Sequence, residues 1–298
     1  MTSVVVLGGT GMLGHKIFQR LAGAGFNAHC TARGALTERQ RMILTAHGEE
    51  RVDMGLDAHN FGRFADYLNQ TRPFVVVNCV GIVKQRPEAQ QPLEAIALNA
   101  LFPHQVAGLI GAWGGRLVHF STDCVFRGDG GPYLEHDMPD ADDLYGKTKA
   151  LGEISDRENT LTIRTSIIGR EIGGKRSLLE WFLSHSQGSV RGFRQHLYSG
   201  VTTNYLADVV LELIRSFPHL RGLHQIASEP ISKYQLLLHA ARVFGSNVQV
   251  EADDSTACNR VLDGTRFREA TGLCCPSWPD LLTTVRDDPT PYVHQLTR

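Results

Sequence analysis

The sequence predicts an α/β fold with a doubly wound parallel sheet and a smaller mixed α/β lobe toward the C-terminus. An apolar run at residues 3–7 ends in a glycine-rich turn, and a helical pattern follows that turn. A second apolar run, at residues 74–79, lacks the alternation of a half-exposed strand and is typical of a parallel strand buried on both faces. Between residues 3 and 165 strands alternate with helices through short connections, which is the order of a doubly wound sheet.

The composition is that of an ordinary folded protein. The 298 residues carry a formal net charge of −1, with 42% hydrophobic and 20% charged residues, so no basic surplus indicates a nucleic-acid partner. The opening apolar run breaks at Gly8-Gly9 and has no basic segment before it, which favours a first strand over a signal peptide. No apolar run approaches the ~20 residues of a membrane helix. We therefore expect a cytoplasmic protein without membrane insertion.

The six cysteines show no Cys-x-x-Cys spacing. In a chain without a secretion signal they are expected to be reduced thiols. The sequence therefore predicts neither a disulfide framework nor a metal site.

The turn after the first strand has the pattern of a dinucleotide-binding loop. Its glycines recur every third residue in Gly8-Gly9-Thr10-Gly11-Met12-Leu13-Gly14. Such glycines allow a tight turn, close approach of the backbone to a pyrophosphate, and close packing of helix on strand. A generic tight turn is the alternative interpretation. The predicted cofactor-binding residues of this loop are Gly8, Thr10, Gly11, Met12 and Leu13.

The next two strands suggest which dinucleotide binds. The second strand, at about residues 27–31, ends at Ala32-Arg33, where an NAD-specific site would carry Asp or Glu for the ribose 2′-hydroxyl. Arg33 cannot accept that hydrogen bond but can bind a 2′-phosphate, so NADP(H) is favoured over NAD(H), with a solvated arginine as the alternative. The third strand ends at Asp53-Met54, where the carboxylate could accept from the adenine amino group.

Two further stretches are expected to border the cofactor. The buried run at residues 74–79 leads into Val80-Gly81, where a small residue lets the backbone approach a ligand. A long helical pattern from Gln91 to Trp113 is interrupted at Pro103, where a bend is expected. Asn99 lies just before this bend. Its side chain could hydrogen-bond a carbonyl left free by Pro103, or it could take part in a proton-carrying water path.

A tyrosine and a lysine four residues apart, Tyr145 and Lys149, lie on one face of a predicted helix. An ammonium beside a phenol favours the ionised phenol and makes a proton donor. The strand at residues 116–120 delivers Thr122 and Asp123 at its carboxyl end, which is the edge where ligands bind in open parallel sheets. Glu153, four residues past Lys149, could pair with it or lie on the surface.

From about residue 170 the character of the chain changes, so we divide it into residues 1–169 and a second lobe at 170–298 that can contribute elements back to the first. Residues 165–200 hold five basic side chains against two acidic ones. Such a surplus suits a diphosphate ligand, although a solvated arginine is the ordinary alternative for each position. The candidates are Arg176, Arg194 and, further along, Arg260.

Together these motifs resemble the extended short-chain dehydrogenase/reductase superfamily, whose nucleotide-binding domain has a Rossmann-type fold. Within it they resemble dTDP-4-dehydrorhamnose reductase and related nucleotide-sugar reductases. The resemblance spans residues 3–170 and rests on the glycine-rich loop together with Asn99-Ala100-Leu101-Phe102-Pro103, Ser121-Thr122-Asp123-Cys124-Val125-Phe126, Tyr133-x-Glu135-x-Asp137, Tyr145-x-x-x-Lys149, Gly152-Glu153 and Arg164-Thr165-Ser166.

The resemblance implies roles for the matching residues. Tyr145 would protonate the substrate oxygen, Lys149 would hold the nicotinamide ribose and lower the phenol's pKa, and Thr122 would hydrogen-bond the substrate oxygen. Asp123 and Cys124 would then lie beside the sugar. The family commonly has an aromatic residue where Cys124 stands and a tryptophan where Ile167 stands, so the particular sugar stays open. A homodimer is possible, without the metal link that some members have.

These expectations converge on NADPH-dependent reduction of a keto group, C4 in the related reductases, on a nucleotide-activated deoxy sugar for polysaccharide or glycoconjugate synthesis. A 4,6-dehydratase would need an acid–base pair after the threonine, and Cys124 leaves that pair incomplete. An epimerase with tightly bound NAD uses the same Thr, Tyr and Lys, but Arg33 argues against it. A non-catalytic regulatory subunit is the third possibility.

Overall fold

A seven-stranded parallel sheet forms the centre of the computed structural model, which describes residues 3–84 and 87–292. Its strands are β1 (Ser3–Leu7), β2 (Asn27–Ala32), β3 (Val52–Met54), β4 (Val75–Asn78), β5 (Arg116–Ser121), β6 (Thr160–Arg164) and β11 (Gly222–Gln225). The spatial order is β11-β6-β5-β4-β1-β2-β3, and every neighbouring pair is parallel. The predicted doubly wound α/β fold is confirmed.

Helices cover both faces of this sheet and build the C-terminal part of the chain. They are α1 (Gly14–Gly23), α2 (Glu38–Leu44), α3 (Phe61–Thr71), α4 (Pro92–Ala95), α5 (Phe102–Gly111), α6 (Leu144–Leu151), α7 (Leu178–Leu183), α8 (Thr203–Arg215), α9 (Lys233–Phe244), α10 (Thr265–Thr271) and α11 (Trp278–Arg286). Polar side chains start several of them. Thr37, for example, forms a capping box with Gln40 at the start of α2.

Alternate residues of β1 point into two different cores. Val4 and Val6 pack in the core beneath α1 and α8, whereas Val5 and Leu7 pack in the opposite core with residues of α3 and α5. A strand buried on both faces needs an unbroken apolar run, because neither set of side chains reaches water. This is the physical reason that the apolar runs of the sequence mark the central strands.

Two elements from the second half of the chain belong to this central layer. β11 pairs with β6, and α8 packs against α1. The C-terminal half therefore contributes a strand and a helix to the nucleotide-binding fold. The division at residues 169 and 170 stays a prediction.

The remaining strands form small sheets near the carboxyl edge of the main one. They are β7 (Ile167–Ile168), β8 (Ser189–Phe193), β9 (His196–Tyr198), β10 (Val201–Thr202), β12 (Ile231–Ser232), β13 (Gln249–Asp253) and β14 (Cys258–Asn259). β7 pairs with β10, β8 with β13, and β9 lies between β12 and β14. Their core includes Phe182, Leu236, Trp278 and Leu282, which join α7, α9 and α11.

One continuous helical stretch, Pro92–Gly111, is 20 residues long with a mean hydropathy of 1.3. By length and composition it is apolar enough to cross a bilayer, contrary to the expectation that no segment approaches this length. Half of it is buried, with Phe102 and Val106 in the core against Phe64, so it is a core helix. Between α4 and α5 the residues Ile96–Leu101 form a π-helical turn instead of the expected simple bend.

Candidate active site

The loop between β1 and α1 adopts a turn that requires glycine. Gly8 has a φ of 82°, and its N–H donates to the Thr31 hydroxyl at 3.1 Å. A Cβ on Gly14 would lie 2.2 Å from the Gly8 carbonyl oxygen, so any larger residue would push the helix away from the turn. α1 has no side-chain cap and no acidic residue in its first turn. Its N–H groups and positive dipole are thus suited to an anion.

A cleft of about 230 Å³ opens at this loop. It lies where β1 pairs with β2 on one side and with β4 on the other, which is the switch point of a doubly wound sheet. The lining comes from the glycine-rich turn, the ends of β2 and β4, the loop after β3 and the region around α4: Gly8, Thr10, Gly11, Thr31, Arg33, Leu56, Asp57, Ala58, His59, Cys79, Val80, Gly81, Ile82, Glu88, Glu94 and Leu98. The location and the lining fit a dinucleotide.

Six of the predicted cofactor residues line this cleft. They are Gly8, Thr10, Gly11, Arg33, Val80 and Gly81. Arg33 is exposed at the end of β2, as binding a 2′-phosphate would require. Met12 is half-buried and Leu13 is buried at the start of α1.

The structure does not bring Asp53 or Met54 into the lining of the cleft. The Asp53 carboxylate accepts from the Tyr67 hydroxyl at 2.7 Å and lies 3.2 Å from His29 Nδ1. The carboxylate that does line the cleft is Asp57, from the irregular loop after β3. Contact of Asp53 with adenine stays a prediction, and Asp57 is the better placed acceptor. The sequence reasoning missed Asp57 because it considered only the end of the strand.

Two hydroxyl groups meet at the carboxyl end of β5. Thr122 follows that strand, and its Oγ1 accepts from the N–H of Cys124 at 3.1 Å. Tyr145 is the second residue of α6, whose first turn is capped by Asp143 through the N–H of Gly146 at 2.8 Å. The Thr122 hydroxyl donates to Asp123 Oδ1 at 3.1 Å. Burial raises the pKa of Tyr145 and the neighbouring Thr122 side chain lowers it, so the two hydroxyls are neighbours at this edge of the sheet.

The ammonium of Lys149 is held by the strand rather than by the phenol. Nζ donates to the carbonyl oxygen of Phe120 at 2.7 Å, and burial lowers the pKa of Lys149 to about 8 although Glu153 raises it. Burial raises the pKa of Tyr145 above its ordinary value of about 10. Tyr145 is therefore a protonated donor at neutral pH, and a lowering of its pKa by Lys149 stays a prediction.

Asn99 ties the loop after β4 to α6. Its Oδ1 accepts from the N–H of Ile82 at 2.9 Å, and its Nδ2 donates to the Ile82 carbonyl and to Thr148 Oγ1 at 3.3 and 3.4 Å. The expected bond to a carbonyl freed by Pro103 is wrong, because that carbonyl belongs to Asn99 itself. A Cβ on Gly152 would lie 2.0 Å from the Asn99 carbonyl oxygen. The end of α6 can therefore approach Asn99 this closely only with glycine at position 152. The water-path role of Asn99 stays a prediction.

Glu153 does not pair with Lys149, nor does it lie on the surface. It forms a buried ion pair with Arg164 at 2.7 Å, and its Oε1 accepts from the Ser121 hydroxyl at 2.6 Å. This ion pair joins the end of α6 to the ends of β5 and β6, next to Thr122. Its geometry keeps the helix that carries Tyr145 in register with the sheet.

The three arginines predicted for the diphosphate lie in different environments. The guanidinium of Arg194 is exposed and paired with Asp254. Arg176 donates its backbone N–H to Glu171 Oε1 at 3.1 Å. Arg260 Nε donates to the Phe126 carbonyl at 2.8 Å, and its NH1 lies 3.9 Å from Cys124 Sγ. Of the three, only Arg260 is in contact with the loop that carries Thr122.

A second cation on this side, Lys233, was missed by the sequence reasoning. Lys233 is the first residue of α9, and its ammonium lies 3.8 Å from the centre of the Tyr198 ring. Burial lowers its pKa, while the nearby Asp123 and Cys124 raise it. Tyr198, Lys233 and Arg260 thus face Asp123 and Cys124 from three separate C-terminal elements. The sequence around these three residues contains no motif that predicts their place in the site.

All six cysteines are free, and burial raises the pKa of Cys124 to about 12, so this thiol is inert beside the two hydroxyls. Across residues 3–84 and 87–292, no group of three or more His, Cys, Asp or Glu side chains is arranged to hold a metal ion. The polar groups of the site are thus hydroxyls, one carboxylate and ammonium or guanidinium groups.

The fold and the pairing of Thr122, Tyr145 and Lys149 beside a dinucleotide cleft define an extended short-chain dehydrogenase/reductase. The chain belongs to the RmlD substrate binding domain family, whose model matches residues 1–285. It is 28% identical over 239 residues to the spore coat polysaccharide biosynthesis protein SpsK of Bacillus subtilis, covering 78% of this chain and 76% of that protein. It is 25% identical over 303 residues to dTDP-4-dehydrorhamnose reductase of Escherichia coli, covering 93% and 94%.

A different kind of relative matches a shorter stretch. Methionine adenosyltransferase 2 subunit beta of Rattus norvegicus is 31% identical over 160 residues, which are 53% of this chain and 43% of that subunit. Among solved structures, dTDP-4-dehydrorhamnose reductase of Bacillus anthracis in complex with NADP has a TM-score of 0.78 at 19% identity, covering 96% and 99%. WbmG of Bordetella bronchiseptica in complex with NAD and UDP has a TM-score of 0.75 at 18%, covering 95% and 92%. These structures support the fold.

Proposed function

We propose that this protein reduces a keto group on a nucleotide-activated deoxy sugar with NADPH, in the cytoplasm, for polysaccharide or glycoconjugate synthesis. The observation that carries the proposal is the proximity of Thr122, Tyr145 and Lys149 at the carboxyl edge of the sheet. By analogy with the reductases of its family, the reduced carbon is C4.

Bound NADPH supplies the hydride. The chain's own residues stabilise and neutralise the negative charge that develops on the substrate oxygen. Tyr145, protonated at neutral pH, donates its proton to that oxygen. Thr122 supplies a second hydroxyl next to that oxygen. Lys149, one helical turn from Tyr145 and fixed on the Phe120 carbonyl, adds a positive charge near the developing alkoxide.

The cleft supports the choice of NADP(H). Arg33 lines it at the end of β2, in the position where an acidic residue would select the 2′-hydroxyl of NAD. A guanidinium there can form charge-assisted hydrogen bonds with a 2′-phosphate. Asp57, in the loop opposite, is placed to accept from the adenosine half of the cofactor.

The substrate half of the site is suited to a nucleoside diphosphate group. Lys233 and Arg260 lie on the wall facing Asp123 and Cys124, and both bring positive charge close to the catalytic hydroxyls. Lys233 and Arg260 are our first candidates for the diphosphate, since Arg194 is paired with Asp254, and the role of Arg176 stays a prediction. Cys124 and the half-buried Ile167 stand where the related reductases commonly have aromatic residues, so the particular sugar stays open.

A panel assay tests the proposal. The protein is incubated with NADPH and a set of nucleoside-diphosphate 4-keto-6-deoxy sugars, and absorbance at 340 nm is followed. Oxidation of NADPH with at least one sugar is expected, with NADH giving a lower rate. Failure with every sugar, alongside tight NADPH binding, would contradict the catalytic proposal.

The second candidate is a non-catalytic subunit. It is favoured by the similarity of half the chain to methionine adenosyltransferase 2 subunit beta, at an identity above that to the reductases. The presence of Thr122, Tyr145 and Lys149 together at the carboxyl edge of the sheet supports the enzyme instead. Co-purification of a second protein at a fixed ratio, with no turnover of any sugar, would favour the subunit. An epimerase would be recognised by NAD that stays bound through purification.

A further inference from the structure

The segment after α11 packs across the first turns of α1. Asp288 forms an ion pair with Lys16 at 2.7 Å, and the two side chains are only 6% and 4% exposed. Thr290 Oγ1 accepts from the same ammonium at 3.0 Å. Tyr292 follows and is buried against His15, with the two rings edge to face at 5.8 Å. The C-terminal segment is thus anchored on the helix that begins at the cofactor loop.

His15 links this segment to the glycine-rich loop through both ring nitrogens. Nδ1 lies 2.8 Å from the carbonyl oxygen of Gly11, and Nε2 lies 2.8 Å from the hydroxyl of Tyr292. A carbonyl oxygen can only accept, so Nδ1 carries the proton and donates it, and Nε2 accepts from Tyr292. Burial lowers the pKa of His15 to about 4, which keeps the ring neutral and preserves this polarity.

Two bonds from His15 fix the orientation of one peptide group, because the Gly11 carbonyl accepts from the ring Nδ1 at 2.8 Å and from the backbone N–H at 3.2 Å. A trans peptide is planar, with its carbonyl and N–H pointing in opposite directions. Because the carbonyl of Gly11 points toward His15, the N–H of Met12 in the same peptide points away from His15. Gly11 itself lines the cleft. A backbone N–H held in this way at a helix N-terminus is a donor for a phosphate.

Tyr292 also contacts the C-terminal lobe. The guanidinium of Arg170 lies 4.8 Å from the centre of its ring, and Arg170 Nε pairs with Glu180 of α7 at 2.5 Å. Tyr292 therefore lies between the helix of the cofactor loop and the lobe that carries the substrate wall. Its ring packs against Arg170 of the lobe, and its hydroxyl bonds to His15 of α1.

We propose that Tyr292 and His15 are positioning residues for the dinucleotide: the hydroxyl of Tyr292 orients His15, and His15 holds the Gly11–Met12 peptide so that its N–H faces the cofactor's pyrophosphate. The inference rests on the proposed binding of NADPH at the glycine-rich loop. The C-terminal segment thereby becomes part of the cofactor site, although it lies about 280 residues from the loop in sequence.

The test measures the Kd of NADPH directly by its fluorescence, with no sugar present, in the full-length chain. Tyr292→Phe keeps the ring and removes only the hydroxyl, and we expect its Kd to rise about threefold to fivefold, as for one lost hydrogen bond. His15→Leu is expected to raise Kd about tenfold. His15→Asn, which retains an N–H donor in the place of Nδ1, should restore binding to within about twofold of wild type. Tyr205→Phe makes the same deletion on α8 and serves as the control.

Thermal unfolding of each variant separates positioning from packing. A higher Kd for His15→Leu than for His15→Asn at similar melting temperatures supports the proposal. Equal Kd values in all variants, whatever their melting temperatures, would overturn it. If the wild-type protein binds no NADPH, the proposed function fails, which is a different result from wild-type binding that the variants leave unchanged.

Discussion

The hydroxyls of Thr122 and Tyr145 are neighbours in the structure, although 23 residues separate them in the chain. Thr122 is positioned by β5 and the short turn after it, and Tyr145 by the first turn of α6. The buried pair of Glu153 and Arg164 locks that helix against the sheet. Two rigid elements therefore set the distance between the two donors.

Removal of the phenol hydroxyl should stop catalysis and leave cofactor binding intact. For Tyr145→Phe we expect kcat to fall about 10²- to 10⁴-fold, because the alkoxide loses its proton donor. Thr122→Val should lower kcat about 10²-fold by removing the second donor. NADPH titration by fluorescence is the control and should give wild-type affinity for both. Turnover of Tyr145→Phe at the wild-type rate would show that the proton comes from another group.

The coenzyme preference should depend on Arg33. Arg33→Asp removes the partner of the 2′-phosphate and introduces an acceptor for the 2′-hydroxyl, so the ratio of kcat/KM for NADPH over NADH should fall about 10- to 100-fold. Arg41→Asp makes the same charge change on α2 and should leave the ratio within about twofold. An unchanged preference in Arg33→Asp would remove Arg33 from the cofactor site.

The pH dependence of reduction should report Lys149. Its pKa is lowered to about 8, so the ammonium is present below that pH and is lost as the pH rises through it. Tyr145, with a raised pKa, stays protonated over the same range. We therefore expect kcat/KM to decline above pH 8 in the wild type. In Lys149→Arg the residual activity should lack this decline, and a decline at the same pH in that variant would assign it to another group.

Lys233 should govern the affinity for the nucleotide sugar and not that for the cofactor. Lys233→Met keeps the aliphatic stem on Tyr198 and removes the charge, and we expect KM for the sugar to rise about tenfold, as for one lost charged contact. KM for NADPH should stay within about twofold. Arg194→Met is the matched control, since Arg194 is exposed and paired with Asp254. Equal effects of the two substitutions would contradict the assignment of the substrate wall.

The sequence was sufficient for the features that arise from local patterns. β1 and β4 were found because strands buried on both faces need unbroken apolar runs, and the glycine-rich turn because its backbone requires Gly8 and Gly14. The spacing of Tyr145 and Lys149 by one helical turn indicated a proton donor beside an ammonium, and the family resemblance implied their roles. What the spacing did not reveal is that Lys149 bonds the Phe120 carbonyl while burial raises the phenol's pKa.

The parts that escaped prediction depend on contacts between distant segments. Lys233 and Tyr198 approach Asp123 only through the small sheet formed by β9, β12 and β14. Arg194 belonged to a local basic surplus, but its partner Asp254 lies 60 residues further on. Charge counts over a window cannot reveal such a pairing, because it is set by the parallel register of β8 and β13.

The most direct test of the central claim follows the hydride itself. NADPH that carries deuterium at the hydride-donating position of its nicotinamide C4 is mixed with the protein and the best 4-keto sugar of the panel. The product sugar is then analysed by mass spectrometry. We predict one deuterium per product sugar and one NADP⁺ per deuterium, both lost in Tyr145→Phe. A product without deuterium, formed without net oxidation of NADPH, would contradict reduction by this cofactor.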